Sequence, residues 1–146
     1  MILSLSTNTS YRFTPILKTP VINDLFFFLP FTARPRKMDL GFVVDSSDSV
    51  NWSQMQRFVI SMLQSFDISE DRVHVGFIAF SDRAVRSFSF IELRRDAYTR
   101  DGIRQLINRV PQLGGSQRRV DLALNTAYRD LFSNLGGTRI NARKVD

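Results

Sequence analysis

Cysteine is absent from all 146 residues, which removes disulfide frameworks, zinc knuckles and thiol catalysis together. The absence suits either redox compartment, because a chain of this length can bury a core without bridges. Histidine occurs once, as His74. Its neighbours Val73 and Val75 would point to the other face of a strand, so a covered strand position is expected. No histidine is placed to activate Ser47 or Ser49 as a nucleophile. Neither G-x-x-x-x-G-K-[ST] nor G-x-G-x-x-G occurs, so the common phosphate cradles are missing. No apolar run approaches the ~20 residues of a membrane span; the longest, Leu25-Phe26-Phe27-Phe28-Leu29-Pro30-Phe31, is short and broken by proline. Internal repeats and low-complexity blocks are also missing.

What is present is a globular composition, with 43% hydrophobic and 23% charged residues. The net charge is +6 and the isoelectric point about 10.5, carried almost wholly by arginine. Basicity of this size raises nucleic acid as a partner. The arginines, however, are scattered (Arg57, Arg72, Arg83, Arg86, Arg94, Arg95, Arg104, Arg118, Arg129) and not interleaved with stacking aromatics, so a solvated basic surface is the expectation.

Residues 1–37 read as an extension or linker, poorly ordered, with Ser, Thr, Asn and Pro punctuation and no sustained helical or strand period. A secretory signal fits poorly, because no basic residue precedes the first apolar stretch and the Phe-rich run lies late without a small-residue cleavage site. Asn8-Thr9-Ser10 and Asn51-Trp52-Ser53 match the glycosylation sequon. The second lies at a helix start beside the motif described below, where a glycan would crowd it, and is expected to be unmodified.

From Met38 the pattern becomes regular. Met38 to Asp45 is an apolar run suited to a strand buried on both faces. Trp52, Met55, Phe58, Val59, Met62, Leu63 and Phe66 follow at helical spacing. Arg72 to Phe80 is a second buried strand, and Ala84 to Phe90 alternates as a strand nearer an edge. Asp101 to Val110 and Val120 to Ser133 are helical, the latter closed by Gly136-Gly137. A strand–helix–strand unit of this length crosses over right-handedly. The expected fold is therefore α/β, a doubly wound, mostly parallel sheet with flanking helices.

The chemistry gathers at the end of the first strand, in Asp45-Ser46-Ser47-Asp48-Ser49. One carboxylate and two hydroxyls at the C-terminal end of a buried strand lie where open α/β sheets place ligands. Asp45, Ser47 and Ser49 suit a hard divalent cation such as Mg²⁺. They also suit a plain helix cap, because Ser49 or Asn51 can close the helix that begins at Trp52.

The D-x-S-x-S spacing resembles the metal-ion-dependent adhesion motif (MIDAS) of the von Willebrand factor type A domain family. Arg72-Val73-His74-Val75-Gly76-Phe77-Ile78-Ala79-Phe80-Ser81-Asp82 resembles that family's second strand. Leu113-Gly114-Gly115-Ser116 resembles its L-G-G loop, and Val120-Asp121-Leu122-Ala123-Leu124 the helix start that follows. The match covers about residues 38–146, as a C-terminally incomplete domain of Rossmann-like fold. The resemblance implies a non-enzymatic adhesion or matrix module, extracellular, secreted or part of an ectodomain. It implies a site holding Mg²⁺ (or Mn²⁺ or Ca²⁺) that captures an acidic residue of a protein partner, collagen or another matrix protein among the candidates.

The carry-over is uneven. Asp45, Ser47 and Ser49 match the family's first ligand loop. At the family's threonine position this chain offers Ser116, Gln117, Arg118 or Arg119. Ser116 would supply a hydroxyl, whereas Arg118 would place a fixed positive charge beside the cation. Asp48, Gly115 and Ser116 are candidates for partner contact, with Asp48 also readable as a solvated loop residue. Asp121 can reach the site or serve only the helix dipole. A fourth strand begins only at Lys144-Val145, and Asp146 comes too early for the family's second acidic ligand. The metal site is thus expected to be incomplete, and the first strand to lie at an open edge. The alternatives are a metal-free interaction domain and a Mg²⁺-dependent phosphatase or phosphotransferase of haloacid dehalogenase type. The latter lacks its general acid, because Ser47 stands where that class has its second aspartate.

Overall fold

The computed structural model describes residues 2–6, 14–16 and 37–139. Its sheet contains β1 (Ile2–Ser6), β2 (Thr14–Ile16), β3 (Met38–Asp45), β4 (Val73–Phe80) and β5 (Ala84–Phe88), in the spatial order β2-β1-β3-β4-β5. The helices are α1 (Trp52–Leu63), α2 (Arg100–Arg109) and α3 (Val120–Thr126), the last continuing as a π-helical turn over Ala127–Leu131. The Leu25–Phe31 run, the Asn8 sequon, Lys144, Val145 and Asp146 lie outside the described residues.

The centre of the sheet is the β3–α1–β4 unit. β3 and β4 pair in parallel from Met38↔Val73 to Asp45↔Phe80, so both strands deliver their C-terminal ends to one edge. The doubly wound α/β class holds, and the sheet is mixed: β4–β5, β1–β3 and β1–β2 are antiparallel. The strand expected at an open edge is instead covered, because β1 pairs with β3 over Ile2↔Val44 to Ser6↔Leu40. This segment belongs to the stretch that reads as a linker. Its Ile-Leu-Ser-Leu-Ser alternation is a strand period, but too brief to separate from the surrounding polar residues.

Alternation along β3 and β4 divides the core between two faces. Leu40, Phe42, Val44, Val75 and Phe77 pack with Val59 and Leu63 of α1 and Ile103 and Ile107 of α2. Val43, Ile78 and Phe80 pack with Phe90, Ala123, Ala127 and Leu131. Each fully buried side chain of this size contributes roughly 1.5–3 kcal/mol, so the two layers dominate the stability. Asn51, not Ser49, caps α1, its Oδ1 accepting from the Gln54 N–H at 3.1 Å. α1 then ties to α2, because Trp52 Nε1 donates to the Val110 carbonyl at 2.9 Å and Gln56 Nε2 to that of Ile107 at 2.8 Å.

The expected helix over 120–133 changes pitch at Ala127, where the Phe132 N–H reaches back to the Ala127 carbonyl at 2.8 Å. The cause lies beneath it. Gly41 and Gly76 are register partners, and a Cβ on Gly76 would lie 2.4 Å from Leu131 Cδ1, one on Gly41 2.8 Å from the Phe132 ring. The two glycines open a notch that admits both consecutive side chains, and the wider turn presents both to the sheet.

Candidate functional site

Asp45 ends β3 with its residue 1% exposed, level with Phe80 on β4. The Ser46 N–H continues the ladder onto the Phe80 carbonyl at 2.7 Å, and the chain then turns sharply into α1. In that turn the Ser47 N–H donates to Asp45 Oδ1 at 3.0 Å. The Ser47 and Ser49 hydroxyls lie 3.1 Å apart and share a hydrogen bond. Asp45, Ser47 and Ser49 are therefore gathered at the C-terminal end of the parallel pair, as their spacing suggests.

A second loop, residues 112–119, is seated on the first. Ser46 Oγ accepts from the Leu113 N–H at 2.7 Å and the Ser46 carbonyl from Gly114 at 3.0 Å. Gln112 Nε2 donates to the Ser47 carbonyl at 2.8 Å. Asp48 exchanges two bonds with Gly115: its N–H donates to the Gly115 carbonyl at 2.9 Å, and its Oδ2 accepts from the Gly115 N–H at 3.0 Å. Asp48 is thus an exposed residue that latches the two loops together. Gly114 and Gly115 adopt φ of 68° and 94°, left-handed values that disfavour a side chain. A Cβ on Gly115 would in addition lie 2.5 Å from Asp82 Oδ2. Asp82 in turn accepts from the Gln117 N–H at 2.7 Å.

This loop geometry selects one of the four residues left open by the sequence. Ser116 is exposed, and Arg119 turns away to pair with Asp121 at 2.9 and 2.7 Å. That pairing holds the Asp121 carboxyl down at about 2. Arg118 returns to the site: its Nε lies 2.9 Å from Asp45 Oδ2 and its Nη2 donates to Ser49 Oγ at 2.7 Å. The guanidinium thus spans two of the three candidate metal ligands of the first loop, Asp45 and Ser49, and is one hydrogen bond from the third, Ser47.

A divalent ion such as Mg²⁺ needs its oxygens at about 2.0–2.1 Å. An ion so placed on Asp45 and Ser49 would share their lone pairs and their space with a permanently charged guanidinium. In this arrangement the residues present do not fit a resident cation.

Sequence reasoning assigned no role to Asp82, Gln112 or Ser46. Asp82 carried a weak signal as the last residue of the strand-like stretch beginning at Arg72, whereas Gln112 and Ser46 act through backbone-directed bonds that no spacing reveals. His74 is buried, as its strand position suggests. Its Nε2 meets the Glu70 carbonyl at 2.8 Å and its ring stacks on Tyr98 at 4.3 Å.

A buried mixed α/β sheet with a Ser-rich acidic loop at its C-terminal edge defines a class of ligand-binding domain. The family profile of the von Willebrand factor type A domain matches residues 39–145. The chain belongs to that family. It is 27% identical to integrin alpha-1 of Gallus gallus over 75% of this chain and 37% of that protein. It is 31% identical to the collagen alpha-6(VI) chain of Mus musculus over 73% of this chain and 4% of that protein. The chain therefore spans well under half of these curated relatives. Among solved structures, proximal thread matrix protein 1 from the mussel byssus, with a zinc-occupied MIDAS motif, shares the fold with a TM-score of 0.61. That likeness has 20% identity and covers 68% of this chain and 26% of the other.

Proposed function

We propose that the chain is a protein-interaction module of adhesion or matrix type, extracellular in setting and without catalytic activity. Its binding face is formed by Asp48, Ser49, Gly115 and Ser116 at the surface, over the buried Asp45 and Ser47. The observation that carries this reading is the docking of the Gly114–Gly115 loop onto the Asp45–Ser49 loop, which assembles a rigid polar surface at the sheet edge. The relatives' names, integrin alpha and collagen VI chains, support the setting. No helix among the described residues is long and apolar enough to cross a membrane. In this reading the domain proper begins near Met38, and residues 1–37 precede it as an extension that lends β1 and β2 to its sheet.

The partner is a matrix protein that presents an acidic residue, with collagen the first to try. Dependence on Mg²⁺ or another divalent ion has support from the zinc-occupied relative, but the Arg118 contacts weigh against it here. The test is retention on a collagen-coated surface, comparing the chain with its Ser49→Ala and Asp48→Ala variants. Retention reduced at least several-fold by either change supports the reading. Retention that both variants keep in full places the binding face elsewhere and contradicts it.

A further inference from the structure

We infer that Arg118 is a built-in cation that takes the place of a divalent metal at this site, so that the loop is assembled and charge-balanced by the chain itself. The inference rests on reading the Asp45–Ser49 loop as the interaction site, yet it can be tested with no partner present.

The argument begins with Asp45. Its side chain is 2% exposed, and a buried carboxylate requires a compensating charge and hydrogen bonds. Oδ1 is satisfied by the Ser47 N–H and Oδ2 by Arg118 Nε, so no ion is needed to balance it. Ser49 Oγ, the hydroxyl a metal would use, receives Arg118 Nη2, and Ser47 Oγ is engaged by Ser49. Every candidate ligand of the first loop thus has a partner supplied by the protein.

Arg118 is held in place from both sides in the chain. Asp82 fixes the Gln117 N–H and the Ser81 carbonyl accepts from the Arg119 N–H at 2.8 Å. The backbone from which Arg118 projects is therefore anchored on each side, and the guanidinium itself is placed by Asp45 and Ser49. A guanidinium has five N–H donors. Two groups meet Asp45 and Ser49, the guanidinium has no further partner among the described residues, and the Arg118 side chain is 58% exposed. The ligand chemistry that fits the remaining donors is a carboxylate, the same group that a metal would capture.

The test measures thermal unfolding of the chain in excess EDTA and in millimolar MgCl₂ or MnCl₂, beside Arg118→Thr, which removes the guanidinium and supplies a hydroxyl. The melting temperature of the chain is expected to be the same in all three conditions. That of Arg118→Thr is expected to rise by several degrees with either cation, through preferential binding to the folded state. The rise should vanish when Asp45→Asn is added. Should Arg118→Thr not fold, Arg118→Gln, which keeps an N–H toward Asp45 and Ser49, replaces it. A cation-dependent, Asp45-dependent shift in the unaltered chain overturns the inference. So does a variant that folds yet gains no response, because removing the guanidinium would then have opened nothing. Loss of collagen retention, by contrast, bears on the binding reading and leaves this one intact.

Discussion

β3 carries an aspartate near each end, and each is buried and met by an arginine, but the two pairs are built for different ends. At the N-terminal end, Asp39 binds Arg139 through two 2.7 Å contacts, from its backbone N–H and its Nε. The same guanidinium also donates to the carbonyls of Met38, Arg72 and Glu70, and its side chain is only 20% exposed. At the C-terminal end, Arg118 meets Asp45 and Ser49, and its side chain is 58% exposed. Identical charges on one strand thus give a clamp with most of its donors engaged at one pole and an open, part-used cation at the other. Burial and donor count separate structure from site here; charge does not.

The largest effect is expected from breaking the clamp. Arg139→Ala leaves Asp39 charged and buried without compensation, and should cost about 3–5 kcal/mol, read as a lower denaturation midpoint in urea. A loss below about 1 kcal/mol would remove the distinction between the poles. Arg118→Ala should cost less, about 1–3 kcal/mol by the same measurement, because removing the largely exposed Arg118 side chain lets water in to Asp45. If it costs more than Arg139→Ala, the C-terminal pole is the structural one and the comparison is reversed.

A smaller effect separates the poles by pH. His74 lies beside the clamp and is held below its ordinary range, first by burial and then by Arg139; the Glu70 carbonyl and the charges of Asp39 and Glu70 pull the other way. Because the folded state takes up that proton at a lower pH than the unfolded chain, the unfolded chain binds more protons below about 6.5. Stability is therefore full above that pH and declines as the pH falls through it toward the lower folded value. Melting curves recorded from about pH 8 down to about pH 5 should show this fall. His74→Phe should flatten it, while Arg118→Ala leaves the slope unchanged. An equal slope in His74→Phe would assign the effect to other groups.

The two poles also differ in how far the sequence reveals them. Asp45, Ser47 and Ser49 are adjacent on one loop, so alternate spacing at a strand end suffices to bring them together. The strands and helices around them follow from apolar period, from Asn51 and from the double glycines. Which of Ser116, Gln117, Arg118 and Arg119 returns to Asp45 is another matter. It depends on two left-handed glycines and on Asp82 fixing the loop, and these set direction without altering spacing. The clamp is further from view still: Asp39 and Arg139 are distant in sequence and share no motif. The Gly41–Gly76 notch needs the β3–β4 register before its effect on the helix above can be seen. The covering of β3 by β1 rests on a strand of five residues.

The most direct measurement of the central claim is titration of the unaltered chain with Mn²⁺, following the electron paramagnetic resonance signal of the free ion. If Arg118 takes the cation's place, the signal grows with added Mn²⁺ as it does in buffer alone. Removal of one ion per chain from that signal, abolished by Asp45→Asn, would contradict the account.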